Sequence, residues 1–151
     1  MKKILFVCTG NTCRSAMAEY IFNTKVFFKK LDNKYSAFSA GVAVYSSTPA
    51  SDYSQAAMRN AGIDISGHKS SQINEEDIEN AYLVLCMTGR HVDYLREHFF
   101  HYREKIFSIA EYLHINKNVI DPYGLGYEEY KKTARLLDAL CEDIIKKLET
   151  E

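Results

Sequence analysis

The 151-residue chain lacks an excess of charge of either sign. Its 19 lysines and arginines nearly balance 20 aspartates and glutamates, which leaves a formal net charge of −1. A chain this neutral has no overall electrostatic attraction to nucleic acid or to an anionic membrane. We therefore predict no nucleic-acid partner, and any bound anion must be held by a local site.

Long apolar runs and low-complexity tracts are also missing. The run behind the initial Met-Lys-Lys, Ile4 to Val7, is too short for the apolar part of a signal peptide, and no segment approaches transmembrane length. We therefore predict a cytoplasmic protein with no membrane association. No stretch is typical of a linker, and 46% apolar residues suffice for one core, so we expect a single domain over residues 1–151.

Paired metal-ligand spacings and a nucleotide-type phosphate loop are absent as well. The four cysteines show no C-x-x-C pair, so we predict no metal site. The pattern G-x-x-x-x-G-K-[ST] does not occur, so magnesium-dependent nucleotide chemistry is not indicated and we expect no cofactor. Without a secretion signal, thiols usually stay reduced, which favours a catalytic or redox role over disulfides. The cysteines are Cys8, Cys13, Cys86 and Cys141.

Strand-like and helix-like segments alternate along the chain. Short runs rich in apolar residues predict strands at 3–7, 82–87 and 105–109, and a segment that ends at Gly41 predicts another at 35–40. Helical spacing predicts helices at 15–31, 48–61, around 92–99 and at 127–148, with a short helix near 74–77 and an irregular connection over 115–126. This alternation predicts an α/β fold with a four-stranded parallel sheet and helices on both faces, in a Rossmann-like arrangement. Its ligand crevice should lie at the carboxyl ends of the strands.

Three helix boundaries and one helix face are predicted from local signals. Ser15 stands where the N-cap of the first helix belongs, and Phe22 and Phe28 fall on one face of that helix. Thr48-Pro49 suits the start of the second helix, and Gly62 its end.

The loop between the first strand and the first helix carries the chemistry. It reads Cys8-Thr9-Gly10-Asn11-Thr12-Cys13-Arg14-Ser15. Backbone N–H groups in such a loop can curl around a tetrahedral anion at the helix N-terminus. Gly10 permits positive φ angles, Asn11 tolerates a left-handed conformation, and Arg14 offers a bidentate donor to phosphate oxygens.

A thiol at Cys8 would be surrounded by inward N–H dipoles, a helix N-terminus and an arginine. These favour the thiolate, and a thiolate beside a bound phosphoryl group is a nucleophile. The spacing of Cys8 and Arg14 alone leaves open a plainer interpretation, in which Cys8 is a buried core cysteine and Arg14 a surface residue.

Phosphoryl transfer also needs a general acid for the leaving group, and the same group can later activate water. Asp121 is the candidate, because it follows an apolar pair, precedes Pro122 and lies in the irregular connection. An ordinary Asp-Pro turn is the alternative.

Several motifs together resemble the low-molecular-weight protein tyrosine phosphatase family over nearly the whole chain. The resemblance implies the phosphotyrosine phosphatase I-like fold and hydrolysis of phosphotyrosine and aryl phosphate monoesters through a phosphocysteine on Cys8, with Asp121 as acid and then base. The implied substrate is a tyrosine-phosphorylated protein or a small aryl phosphate, and the implied state is a monomer or weak dimer. The motifs are Val7-Cys8-x-Gly10-Asn11-x-Cys13-Arg14-Ser15, Ser39-Ala40-Gly41, Gly62-Ile63 with His68, Val84-Leu85-Cys86-Met87 and Asp121-Pro122-Tyr123.

The same resemblance assigns the remaining site residues. Asn11, Ser15 and His68 hold the loop through side-chain hydrogen bonds, and Tyr45 and Tyr123 line the pocket against a phenyl ring. Phosphate binding is assigned to Arg14 and to the loop residues Thr9, Gly10, Asn11, Thr12, Cys13 and Ser15. The chain departs from the family in having Tyr45 where many relatives carry tryptophan, and Gly124 where a second tyrosine is common.

Three alternatives stay open at this point. Cys13 is either a redox partner that forms a disulfide with Cys8 or simply a small buried loop residue. An arsenate reductase on the same fold would need a resolving cysteine pair, and Cys86 has no partner before Cys141. A non-catalytic phosphate- or phosphotyrosine-binding module would need neither Cys8 nor Asp121.

Overall fold

Four parallel strands form the sheet of the protein, and the computed structural model describes all residues, 1–151. The strands are β1 (Lys2–Cys8), β2 (Tyr35–Gly41), β3 (Leu83–Cys86) and β4 (Ile106–Ser108). Their order across the sheet is β2-β1-β3-β4, and every neighbouring pair is parallel. The predicted α/β fold with a four-stranded parallel sheet is therefore confirmed.

Six α-helices and one 3₁₀ helix connect and cover the strands. They are α1 (Arg14–Phe28), α2 (Asp52–Asn60), α3 (Glu75–Asn80), α4 (Gly89–His98), the 3₁₀ helix Phe100–Lys105, α5 (Ile109–Leu113) and α6 (Tyr127–Leu148). None of these helices combines the length and the apolar character needed to cross a bilayer.

The core lies in two layers, one on each face of the sheet. Successive residues of β1 alternate between them, because side chains of a strand point to opposite faces. Ile4 and Phe6 pack with α1, α2, α5 and α6, whereas Leu5 and Val7 pack with α3 and α4. The apolar side chains of α6 are buried along the helix, and since helices pack on both layers of the core, the predicted coverage of both faces is confirmed.

Helix α1 begins earlier than its local signal predicted, and helix α2 begins later. Ser15 is not an N-cap: α1 starts at Arg14, and its cap residue Cys13 makes no side-chain capping bond. The N-cap of α2 is Ser51, whose Oγ accepts from the backbone N–H of Ser54 at 3.2 Å, so the Thr48-Pro49 start was wrong. A hydroxyl caps a helix only where the chain enters at the right angle, and loop packing sets that angle.

Of the two predicted helix ends, one is confirmed and the other is wrong. The second helix ends at Asn60, and Gly62, just past its C-cap Ala61, acts as the predicted stop, because its φ of +81° supplies the left-handed residue of a C-terminal cap. The first helix ends at Phe28, three residues before the predicted end, and Phe28 is 77% exposed rather than part of the buried face. The 3₁₀ helix and α5 were missed, although Ser108 and Glu111 form a capping box that marks the start of α5.

Candidate active site

The loop that follows β1 forms a closed turn at the carboxyl end of the sheet. Its left-handed residue is Asn11, with φ of +57°, and not Gly10, which shows no positive φ. Two backbone hydrogen bonds anchor the loop to the segment that follows β2. The N–H groups of Val42 and Ala43 donate to the carbonyls of Cys8 and Thr9, both at 3.0 Å. The parallel pairing of β1 and β2 thus continues into the loop.

Gly41, at the end of β2, permits this close pairing. A Cβ atom at position 41 would lie 2.5 Å from the carbonyl oxygen of Thr9 and 2.7 Å from Cγ2 of Val44. No side chain fits there without displacing the loop. The Ser39-Ala40-Gly41 motif therefore has a steric basis in the approach of β2 to the loop.

The Cys8 thiol is buried at the base of the loop. Its Sγ lies 2.9 Å from Oγ of Ser15, and that oxygen also accepts a hydrogen bond from Nδ2 of Asn11 at 2.8 Å. Because Ser15 accepts from Asn11, its O–H is free to donate to the sulfur. The Ser15 hydroxyl therefore links the sulfur to the side chain of Asn11.

Asn11 ties the loop to β2 and to the segment between α2 and α3. Its Nδ2 also donates to Oγ of Ser39 at 2.9 Å, and its Oδ1 accepts from the backbone N–H of Ser71 at 3.0 Å. Its carbonyl lies 2.7 Å from Nε2 of His68, and a carbonyl only accepts, so this ring nitrogen carries the proton. The three residues assigned by resemblance to hold the loop, namely Asn11, Ser15 and His68, thus lie together around it.

A partly buried carboxyl extends this network on the far side of Ser39. The hydroxyl of Ser39 donates to Oε1 of Glu19 at 2.6 Å. Burial raises the pKa of Glu19 above its ordinary value, while the hydrogen bond from Ser39 and the nearby His68 oppose that rise. Sequence reasoning did not include Glu19, whose position on α1 carries no signal of this contact.

Arg14 and Asp121 meet across the mouth of the loop. The guanidinium of Arg14 is buried, donates from Nη1 to the carbonyl of Val119 at 3.0 Å, and places Nη2 3.6 Å from Oδ2 of Asp121. The Asp121 side chain is 49% exposed, and its Oδ1 accepts from the backbone N–H of Tyr123. A buried cation and a solvent-accessible carboxyl therefore flank the same loop, the one for which anion binding is predicted.

A cleft of about 230 Å³ opens between the loop and the segment around Asp121. Tyr123 lines it, but Tyr45 does not and is 97% exposed. Gly124 has φ of +82° in a turn closed by the Leu125 N–H on the Pro122 carbonyl. That backbone favours glycine, which explains why a bulkier residue is not present. The lining residues are Cys8, Thr9, Gly10, Asn11, Thr12, Cys13, Arg14, Asp121 and Tyr123.

Cys13 is buried on the side of the loop that faces α2 and α6. Its Sγ lies 3.4 Å from Oγ of Ser51 and 3.8 Å from the hydroxyl of Tyr130. Burial, together with Cys13, raises the pKa of Tyr130 to about 12, so the phenol stays protonated. All four cysteines are free thiols in this structure, and the Cys8–Cys13 disulfide stays a prediction.

His91 also contacts the loop, which sequence reasoning missed. Its Nε2 lies 2.9 Å from Oγ1 of Thr9, although the two residues are 82 positions apart. Burial, Arg14 and Arg90 lower the pKa of His91 to about 4, so the imidazole is neutral near pH 7. No local pattern marks this histidine, because only the placement of α4 beside the loop brings it there.

A comparison with protein families identifies the family of this chain. The model of the low molecular weight phosphotyrosine protein phosphatases matches residues 3–151. The chain belongs to that family. It is therefore an enzyme of a hydrolytic phosphatase family, and its relatives act on more than one phosphorylated residue. The chain is 36% identical to a protein-arginine-phosphatase of Bacillus subtilis (strain 168) over 149 residues, which cover 98% of this chain and 97% of the relative.

Solved structures of the phosphatase family show the same fold. The low molecular weight protein tyrosine phosphatase from T. tengcongensis matches with a TM-score of 0.93 and 43% identity, covering 97% of this chain and 99% of that one. A YwlE arginine phosphatase mutant with a phosphorylated active-site serine matches with a TM-score of 0.93 and 36% identity, covering 99% and 97%. This phosphatase thus has relatives named for phosphotyrosine and for phosphoarginine.

Proposed function

We propose that this phosphatase, as a single domain of residues 1–151, hydrolyses phosphoarginine in proteins. The observation that carries the proposal is the placement of two oxygen-bearing side chains: Thr12 and Asp121 line the cleft, while one aromatic side chain, Tyr123, does so and is itself 78% exposed. A guanidino group is planar and rich in N–H donors, so it needs oxygen acceptors. The Thr12 hydroxyl supplies such an acceptor beside the phosphate loop, and Asp121 supplies another through the carboxyl oxygen that does not carry the transferred proton.

The reaction follows from the positions of three side chains. The Cys8 thiolate attacks phosphorus, a P–S bond forms, and the P–N bond to the arginine breaks. The departing nitrogen takes a proton from Asp121, which stands 3.6 Å from the Arg14 guanidinium at the cleft. The loop amides and Arg14 bind the three phosphoryl oxygens throughout and stabilise the charge of the transition state.

The second step returns the enzyme to its starting state. The Asp121 carboxylate removes a proton from a water molecule while the water oxygen attacks the phosphocysteine. The P–S bond breaks, inorganic phosphate leaves, and Cys8 is again a thiolate that Ser15 stabilises at 2.9 Å. The phosphorylated active-site serine in the arginine phosphatase relative supports a phosphorylated intermediate at this position.

Phosphotyrosine is the second candidate substrate, and the one that family resemblance predicts. Tyr123 lines the cleft and could pack against a phenyl ring, and the T. tengcongensis relative is named a tyrosine phosphatase. The second predicted aromatic wall, Tyr45, does not line the cleft. Arsenate reduction is disfavoured, because Cys86 and Cys141 are both buried and neither lines the cleft.

The deciding experiment measures kcat/KM on two peptides of one sequence, carrying phosphoarginine or phosphotyrosine. We expect the phosphoarginine peptide to be preferred, and Cys8→Ser and Asp121→Asn to abolish or strongly reduce its turnover. Thr12→Val removes one hydroxyl at constant shape, so it should lower kcat/KM for phosphoarginine about tenfold, the effect of one hydrogen bond. Hydrolysis of p-nitrophenyl phosphate, which has no N–H donors, should change much less.

Thr24→Val on α1 is the matched control, since Thr24 lies outside the cleft. It should leave both peptides unaffected. Preference for the phosphotyrosine peptide would replace phosphoarginine by the second candidate. Equal effects of Thr12→Val on all substrates would show that the hydroxyl does not contact the guanidino group. An inactive wild-type enzyme on every substrate would overturn the phosphatase mechanism.

A further inference from the structure

His91 lies buried in the first turn of α4, between two hydroxyl groups. Its Nε2 is 2.9 Å from Oγ1 of Thr9 in the phosphate loop, and its Nδ1 is 3.1 Å from Oγ1 of Thr88. Thr88 is the N-cap residue of α4, yet its side chain makes no capping bond to the helix backbone. The Thr88 hydroxyl thus faces the imidazole, and the imidazole faces the loop.

We propose that His91 is a positioning residue for phosphate binding, which orients the hydroxyl of Thr9 so that its O–H points to a bound phosphoryl oxygen. The inference rests on the proposed phosphatase function but not on the choice between phosphoarginine and phosphotyrosine. Thr9 lines the cleft, and the histidine touches no reacting atom itself. Its effect is therefore transmitted through one hydroxyl.

The proton inventory of the three side chains allows two arrangements. A neutral imidazole has one N–H donor and one acceptor nitrogen, and each hydroxyl has one hydrogen. In the first arrangement Thr88 donates to Nδ1, Nε2–H donates to Thr9, and the Thr9 hydrogen is free for the cleft. In the second arrangement the Thr9 hydroxyl donates its hydrogen to Nε2, so Thr9 presents only a lone pair to the cleft. A phosphate anion stabilises the first and repels the second.

Burial and the charges around His91 keep its imidazole neutral. Its burial and the Arg14 guanidinium, with a smaller contribution from Arg90, lower the pKa of His91, and Asp121 opposes them. An imidazolium would donate from both nitrogens and would place a further cation beside Arg14. The neutral ring instead accepts a hydrogen bond from Thr88 and donates one to Thr9, so it orients the Thr9 hydroxyl without adding charge to the cleft.

A double-mutant cycle on binding of orthovanadate, measured by calorimetry, tests the proposal. We expect His91→Leu and Thr9→Val each to raise the dissociation constant about tenfold, as for loss of one hydrogen bond to a charged group. The double variant should also show about a tenfold loss, because both substitutions remove the same donor. His91→Gln, whose amide can still donate to Thr9, should recover most of the affinity. His98→Leu, at an exposed histidine of α4, should change nothing.

A second measurement does not require any variant to fold. Nitrogen chemical shifts of the His91 ring in the orthovanadate complex should show a protonated Nε2 and an unprotonated Nδ1. The opposite tautomer, an imidazolium, or additive losses near a hundredfold in the double variant would overturn the proposal. Wild-type protein that fails to bind orthovanadate would overturn the phosphatase function, whereas normal binding by His91→Leu would overturn only the role of His91.

Discussion

Replacing Asn11 by glycine isolates what its side chain contributes to the loop. The substitution removes three hydrogen bonds, to Ser15, Ser39 and Ser71, with distances of 2.8, 2.9 and 3.0 Å. It preserves the backbone, because glycine adopts the φ of +57° found at position 11 without steric cost. At roughly 1 kcal/mol per net hydrogen bond, the free energy of unfolding should fall by about 3 kcal/mol.

Asn11→Ala removes the same hydrogen bonds and adds a backbone cost. A non-glycine residue in the left-handed region costs roughly 1 kcal/mol, and alanine lacks the side-chain bonds with which asparagine offsets it. The free energy of unfolding of Asn11→Ala should therefore lie about 1 kcal/mol below that of Asn11→Gly. Urea unfolding followed by circular dichroism measures both values, provided that the slopes with urea agree.

Two results would refute this reasoning. If Asn11→Gly lies within about 1 kcal/mol of wild type, the side chain does not hold the loop through the three bonds, since their summed net value is about 3 kcal/mol. If Asn11→Ala is at least as stable as Asn11→Gly, the left-handed backbone carries no cost. Loss of p-nitrophenyl phosphate hydrolysis in both variants would show in addition that the network sets the geometry of the loop.

Two further predictions concern Gly41 and His91. Gly41→Ala places a Cβ 2.5 Å from the Thr9 carbonyl, so the loop must shift, and kcat/KM for p-nitrophenyl phosphate should fall on the order of a hundredfold. Gly67→Ala, whose Cβ would meet nothing within 4 Å, is the control, and equal activity of both variants would contradict the steric argument. The lowered pKa of His91, about 4, means that between pH 6.5 and 4 the unfolded chain binds a proton that the folded chain excludes. Stability should therefore fall as the pH falls through this window, by up to about 3 kcal/mol, and His91→Leu should flatten that slope. A ring that titrates near pH 6.5 by NMR would contradict it.

Local patterns predicted most of the elements, and the misses have specific causes. Strands β1, β3 and β4 were found as short apolar runs, β2 by the glycine that ends it, and α6 because its apolar spacing continues over 22 residues. The predicted boundary was wrong at Ser15, because its hydroxyl contacts the Cys8 sulfur and does not cap the helix. It was wrong at Thr48, because the chain is not yet helical there. The start of α5 had a usable signal in the capping box of Ser108 and Glu111.

The sequence by itself determined that the loop from Cys8 to Ser15 is the candidate site. Cys8, Asn11 and Arg14 lie within one strand-loop-helix unit, and the chemistry of such a unit depends on neighbours along the chain. Only the tertiary structure decided that Arg14 meets Asp121 at 3.6 Å, that Tyr45 lies outside the cleft, and that His91 contacts Thr9. Those contacts depend on the order of parallel strands and on helix packing, which bring distant segments to one edge of the sheet and leave no local pattern in the chain.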